Sequence, residues 1–510
     1  MNYQKKLLIL IIVSAAIRLA FSCLTELSAD EAYYWTWAAK LQWNYFDHPP
    51  AIAWLIRLTT ANLLLNSELF VRLGAVICCG ISTWLIFKLG ALIKDLQTGW
   101  FAALLYNASV YCSLTAGSNS IPDSPQLIFW IAGIILLIKI ARSANYMPGA
   151  TRLWCLFGLT AGLCIMCKVH GVFLWLGAGL YVMALNRKWL NYRGIYLAAI
   201  ITLLIVSPII IWNVQNDFIT YKFHSGRVGP AGAGLNLARF MKAIVEEAAG
   251  NNPINFVLIF ISLYLALKGK IAAGKTEIRV LLFCSLPLIG LVLFFALFRE
   301  TFALWSGPGY TCLLILPAIR LASQAKTKPT NFPVIIKWAL AYMVFVGLAQ
   351  ALTINYFPGT LSAQKEGPKT GAQDLTLDMY GWKDAGVKFD SLYRSDVAHK
   401  LMPAGAPVIV TNWFPAAAIE FYITSKTKQQ IIGIGTIDDL HQYHWTNQYK
   451  KPLKAGDDAY FIVPSDAFAY RTSNEVYLQF SSYEPPVVFP QYRSGRICRY
   501  ISIYRVRGYK

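Results

Sequence analysis

Charge is what this 510-residue chain has least of: Asp, Glu, Lys and Arg make up 14% of it, against 56% hydrophobic residues. So little charge over such a length excludes an ordinary water-soluble globular protein and points to a polytopic membrane protein. Acids are scarcer still, 26 against 46 bases, for a formal net charge of +20. That excess does not point to nucleic acid, because the Lys and Arg come in short clusters between apolar runs, as membrane flanks do. Of ten cysteines only Cys498 lies well outside the apolar part of the chain, which excludes a disulfide framework there. "CIMC" at Cys164 to Cys167 lacks a second ligand pair and reads as helix packing. Neither an internal repeat nor an inverted pair of broken helices is present, which argues against a transporter.

Apolar runs that could cross roughly 30 Å of hydrocarbon lie near residues 7–24, 68–91, 98–117, 124–141, 195–212, 253–267, 280–298, 307–321 and 333–355. Residues 152–186 are too long for one span and are broken by "KVHG" at Lys168 to Gly171, which predicts two short helices there and about eleven spans in all. "KKLLILIIVSAAIRLAFSC" reads as an uncleaved first helix, since Arg18 interrupts it and its small-residue cleavage pattern is poor. One set of alternate loops ("YQKK", Lys94, Arg142 with Arg152, "NRKWLNYR", "KGKIAAGKTEIR", "QAKTK") is basic and almost free of acid, so the positive-inside rule places it in the cytoplasm. The other set holds nearly all the acids of residues 1–355 and is expected outside, with the chemistry. Residues 356–510 turn polar. There "PVIVTNW", "QQIIGIG", "DAYFIVP" and "ISIYRVRGY" read as strands and "AAAIEFYI" as helix, predicting a small α/β domain. The expected division is a transmembrane domain, 1–355, and an extracytoplasmic domain, 356–510.

The first exterior stretch, "LSADEAYYWTWAAKLQWNYFDHPP", gathers Asp30, Glu31, Asp47 and His48 beside the first apolar run. Ser28 to Glu31 has the S-x-x-E spacing of a capping box, which accounts for Glu31 better than for Asp30. On the helix that starts here Asp30, Tyr33 or Tyr34, and Trp37 fall on one face. The aromatics fit a belt at the membrane interface. "YFDHPP" then turns the chain, and Pro50 can open an interfacial helix over "AIAWLIRLTTANLLLN".

"ADEAYYW", then "YFDHPP", then "PDSPQLIFW" at Pro122 to Trp130 resembles the GT-C glycosyltransferases that use lipid-linked sugars. The similarity is to the bacterial branch related to dolichyl-phosphate-mannose protein mannosyltransferases and lipid A aminoarabinose transferases. It covers roughly residues 1–355, with a weaker echo in "DMYGW" at Asp378 to Trp382. It implies an exterior active site, a polyprenyl-phosphate sugar donor and an inverting transfer of a hexosyl or pentosyl group. Asp30 is then the expected base, supported by Glu31, and Asp123 a second acid that orients substrate, although a helix cap would also explain Asp123.

Cations for the departing phosphate are expected from Lys168 and His170, which interrupt an apolar stretch and are costly there unless they line a polar cavity. Further candidates are His224 and Arg227 in "YKFHSGR" and Arg299, Glu300 and Trp305 in "FRETFALW", with Asp47 and His48 as cavity residues. A snorkelling Lys168 and a structural Arg299–Glu300 ion pair are the bland alternatives. A divalent cation would draw on these carboxylates with His48, His170 and His224, yet no firm ligand spacing commits to one. The expected acceptor is lipid A, lipopolysaccharide or another envelope glycan, with a Ser or Thr hydroxyl of a protein as the alternative. The expected place is the bacterial inner membrane, with the active site and C-terminal domain in the periplasm.

Overall fold

A computed structural model of the chain describes residues 2–143, 148–228, 234–327, 332–468 and 470–510. The chain forms two compact units. One comprises Met1–Ala20, Gln42–Leu55 and Arg72–Gly347, and the other Phe21–Leu41, Ile56–Val71 and Leu348–Lys510.

The first unit is helical. Among the described residues seven helices of the chain are long and apolar enough to span a membrane, or eight when the pair Leu237–Gly250 and Pro253–Leu267, bent by 104°, counts as one. The expected count of about eleven is therefore not reached by length and hydropathy. Several of the expected runs are short or broken: Val172–Leu185 has 14 residues, about 21 Å at 1.5 Å per residue. The run at 98–117 is interrupted by a π-helical turn at Tyr111–Thr115. "KVHG" does break the 152–186 stretch, as a 3-10 turn at Val169–Gly171 between Pro148–Cys167 and Val172–Leu185. Within the first helix, Tyr3–Leu24, Arg18 is buried and donates to the Asn107 side chain (2.9 Å) and to the carbonyl and hydroxyl of Ser113 (3.2 and 2.9 Å). Those acceptors offset the cost of an arginine in an apolar setting. All ten cysteines are free, with Cys164 and Cys167 fully buried in the packing. Lys328 of the basic "QAKTK" loop lies outside the described residues, as do 229–233 of the exterior loop 213–250.

The second unit carries a mixed six-stranded sheet: β1 Val408–Val410, β2 Ile431–Gly433, β3 Ala459–Pro464, β4 Phe480–Tyr483, β5 Val487–Arg493 and β6 Arg496–Tyr509. The order is β2-β1-β3-β6-β4, with β5 also on β6. β1 runs parallel to β2 and β3, while β6 is antiparallel to β3, β4 and β5. The four runs read as strands from sequence supply β1, β2, β3 and most of β6, and "AAAIEFYI" is helical. Ser494 and Gly495 turn the β5–β6 hairpin with φ of +46° and +77°, the left-handed pair that a tight two-residue turn needs. Arg493 and Asp374 form a fully buried ion pair at 3.1 Å beside this turn, and Arg493 also donates to Thr376 and to the Gly359 carbonyl.

Two expectations for the first loop are corrected. The helix after Pro50 is only Ala51–Thr59, because Ala61, Asn62 and Leu63 all take left-handed φ and stop it. The aromatics of Ala29–Ala39 do not face a membrane surface: Tyr33, Tyr34, Trp35 and Trp37 are all buried. Tyr33 packs on Trp413 at 4.9 Å and accepts from the Gln442 backbone, and Trp35 meets Phe421 edge-on. Burying four large rings releases more apolar surface from water than an interfacial position would, so packing prevails over the belt.

Candidate functional site

In the first unit the structure brings together most of the polar residues singled out from sequence. Asp123 opens helix Asp123–Arg142, but its side chain makes no capping bond to that helix. Its two oxygens instead receive Tyr111 OH at 2.8 Å and Lys168 Nζ at 2.7 Å. Asp123 and Lys168 are 1% and 2% exposed, so Lys168 does not snorkel. Gln126, one turn on from Asp123, donates to the Lys168 carbonyl and fixes the backbone that carries the ammonium. Among the described residues Asp123 is the one hydrogen-bond acceptor of Lys168 Nζ. A pair so deeply buried has a large desolvation cost and stands only with good geometry on both partners, which Tyr111 completes here. Tyr111 was not anticipated; it sits within an apolar run and carries no motif, and only its place on the π-helical turn marks it.

Histidines lie around this pair. His224 Nε2 is 2.7 Å from the Asp47 carbonyl, which can only accept, so that nitrogen carries the proton. The His48 and His224 rings are 5.9 Å apart. Burial pushes the His48 pKa well below its ordinary 6.5, and the charges of Lys168, His224, His170 and Arg227 push the same way. The His224 pKa is also lowered, chiefly by burial, with the Asp47 carbonyl opposing. His170 Nδ1 is buried and has no hydrogen-bond partner among the described residues. Arg227 is exposed, and its guanidinium stands 5.3 Å from the Phe223 ring and 5.8 Å from those of Phe302 and Trp305, within cation–π range. Trp305 thus joins Arg227. Glu300 lies 3.8 Å from Lys242 at an exposed position, and Arg299 and Glu300 line a separate concavity of about 570 Å³ with Asn236 and Arg239. Among the described residues no group of three or more His, Cys, Asp or Glu side chains is arranged to hold a metal ion.

Two of these contacts yield predictions. A Cβ on Gly307 would overlap the Tyr111 ring, so Gly307→Ala displaces the ring whose hydroxyl holds Asp123. The expected result is a destabilisation of about 1–3 kcal/mol from overpacking, read by thermal melting. His48, neutral when folded, takes up a proton readily only when unfolded, so the unfolded state binds more protons as pH falls through 6.5. Stability is therefore full above that pH and falls progressively below it. The melting temperature should drop on acidification, and His48→Gln should flatten the slope.

In the second unit Ser28 and Glu31 form the expected capping box: Ser28 Oγ accepts from the Glu31 backbone at 3.3 Å, and Glu31 Oε2 accepts from the Ser28 backbone at 3.0 Å. Glu31 is fully buried in that role. Asp30, its neighbour in the same turn, is exposed. Its carboxylate bears electrostatically on Asp378, whose pKa is raised to about 7 by burial first and then by Asp30 and Asp466.

Residues 47–212 match the sequence model of the dolichyl-phosphate-mannose-protein mannosyltransferase family. A lipid A galacturonosyltransferase, RgtD, of Rhizobium johnstonii is 24% identical over 298 residues, 57% of this chain; the match spans 60% of the length of that relative. The fold matches crystal structures of ArnT from Cupriavidus metallidurans over 98% of both chains at 13% identity, with a TM-score of 0.61 for the apo state and 0.64 for the state bound to undecaprenyl phosphate. These matches agree with the resemblance carried by "ADEAYYW", "YFDHPP" and "PDSPQLIFW": the chain has the GT-C fold, as a multi-pass helical membrane protein with a C-terminal α/β domain.

Proposed function

We propose that the chain is an inverting glycosyltransferase that moves a sugar from a polyprenyl-phosphate donor to lipid A or another lipopolysaccharide group. The observation that carries this reading is the Asp123–Lys168 pair, a buried, hydrogen-bonded ammonium with histidines around it. Asp123 occupies one proton of that ammonium, and a lipid phosphate is an anion that can reach the others from a bilayer. Lys168 can share its remaining protons with a phosphate oxygen, Asp123 and Tyr111 hold it in place, and Arg227 and His170 add positive charge or hydrogen-bond donors. Phosphate departs without needing a proton, so one carboxylate suffices to deprotonate the acceptor hydroxyl. Asp30 is given that role because it is exposed while Glu31 is occupied by the helix cap.

The name of the lipid A galacturonosyltransferase RgtD supports a glycolipid acceptor, the undecaprenyl phosphate bound by ArnT supports the lipid-phosphate donor, and the apolar helices support a place in the bacterial inner membrane. The basic loops support cytoplasmic placement of one face and a periplasmic domain at residues 356–510, following the transmembrane part at 1–355. The family match over residues 47–212 keeps a protein Ser or Thr hydroxyl as the second acceptor class. Mass spectrometry of envelope glycolipids from cells with and without the chain tests the choice. Loss of one sugar from lipid A is the expected result; an unchanged lipid A with loss of sugar from an envelope protein would favour the second class.

A further inference from the structure

Residues 26–31 and 378–383 hold each other by an exchange of helix caps within the second unit. Helix Trp382–Ala398 starts after Gly381 with no side-chain cap of its own. Its first two N–H groups, of Trp382 and Lys383, donate to the two oxygens of Glu26 at 2.6 and 3.0 Å. The Glu26 backbone in turn donates to the Met379 carbonyl at 3.2 Å. In the other direction the Asp378 carboxylate accepts from the backbone N–H of Ala29, the first residue of the helix whose next residue is Asp30. Each helix therefore begins on a carboxylate supplied by the other segment, where orphan N–H groups and the positive end of the dipole favour one.

The 377–382 segment is itself pinned. Arg499, fully buried, donates to the carbonyls of Leu377 (3.1 Å) and Tyr380 (2.7 Å) and to Asp466 (3.0 Å), and lies over the Trp382 ring at 4.2 Å. Trp382 Nε1 donates to the Asp378 carbonyl at 3.0 Å.

We infer that Glu26 and Asp378 are positioning residues for Asp30, fixing the first turn of its helix from a distant part of the chain. This rests on the reading of Asp30 as the base. A cap that only stabilised the helix could be any polar group, since Ser28 and Glu31 already supply a complete capping box. Asp378 differs because it is a carboxylate beside the reacting carboxylate. The groups facing it are Asp30 and Asp466, which oppose its ionisation, and Arg499 and the Ala29 N–H, which favour it. With its pKa at about 7, it ionises as pH rises through neutrality, and the added negative charge beside Asp30 favours proton uptake by Asp30.

The test is sugar transfer by the full chain in lipid nanodiscs, with the polyprenyl-phosphate sugar and lipid A, over about pH 5.5 to about 8.5. Wild type is compared with Asp378→Asn, Asp378→Glu, Glu26→Gln and Asp30→Asn. Asp378→Asn and Glu26→Gln should each lower kcat roughly 10- to 100-fold, with donor KM within about twofold. The rise in rate near pH 7 should vanish in Asp378→Asn, persist in Glu26→Gln and return in Asp378→Glu. Should Asp378→Asn fail to fold, Glu26→Gln and Asp378→Glu carry the comparison. Wild-type kcat and pH profile in Asp378→Asn or in Glu26→Gln, alongside an inactive Asp30→Asn, overturn the clasp alone. A loss in Asp378→Asn that only tracks melting temperature, with its pH profile unchanged, also overturns it. Normal turnover by Asp30→Asn overturns the reading of the base instead.

Discussion

Asp30→Asn is expected to abolish sugar transfer while the protein is made, inserted and still able to bind its lipid-phosphate donor. The substitution removes a proton acceptor and almost no volume. General-base contributions are typically about 10²–10⁴-fold in rate, so turnover should fall by at least two orders of magnitude. Stability should change little. Asp30 is exposed in the first helical turn, where loss of its favourable interaction with the helix dipole costs about 0.3–1 kcal/mol. The Ser28–Glu31 box that starts the helix is untouched. Donor binding by titration and transfer to lipid A by mass spectrometry separate the two effects, and retained turnover would remove Asp30 as the base.

Lys168→Ala should do the reverse, striking stability and donor affinity together. It leaves Asp123, 1% exposed, with Tyr111 as its remaining hydrogen-bond donor and no compensating charge. Breaking a buried pair from one side costs about 3–5 kcal/mol. Asp123→Asn combined with Lys168→Met removes both charges, so it should recover much of that stability. Donor affinity should stay lost in the double variant, because the ammonium proposed to meet the phosphate is still missing. Thermal melting and donor titration on the two single variants and the double one form the cycle. If the double variant recovered affinity as well as stability, the pair would be structural and the phosphate would bind elsewhere.

The residues that were legible in advance are those whose chemistry conflicts with their surroundings. Asp123, Lys168 and His170 stand out because charge or imidazole in an apolar run has few benign explanations, and Asp123 proved to be bound to Lys168 rather than capping its helix. Tyr111 and Arg499 were not legible. A tyrosine in an apolar run and an arginine in a strand-forming segment have no unusual local pattern; only the partners brought by folding reveal them. The first-loop aromatics misled for a related reason. A ring-rich helix beside a span fits a membrane belt and a buried packing face equally well, and local pattern does not distinguish them.

By itself the sequence determined the membrane class, the break at Lys168 to Gly171, four of the six strands of the C-terminal domain and the Ser28–Glu31 cap. Each of these rests on interactions between residues near in the chain or on composition, so they are written locally. Only the tertiary structure decided that Phe21–Leu41 folds with Leu348–Lys510, that Asp123 is bound by both Lys168 and Tyr111, and that Glu26 and Asp378 exchange caps across some 350 residues of chain. Those pairings depend on long-range closure, in which many polar residues could serve as partner and the packed core selects one.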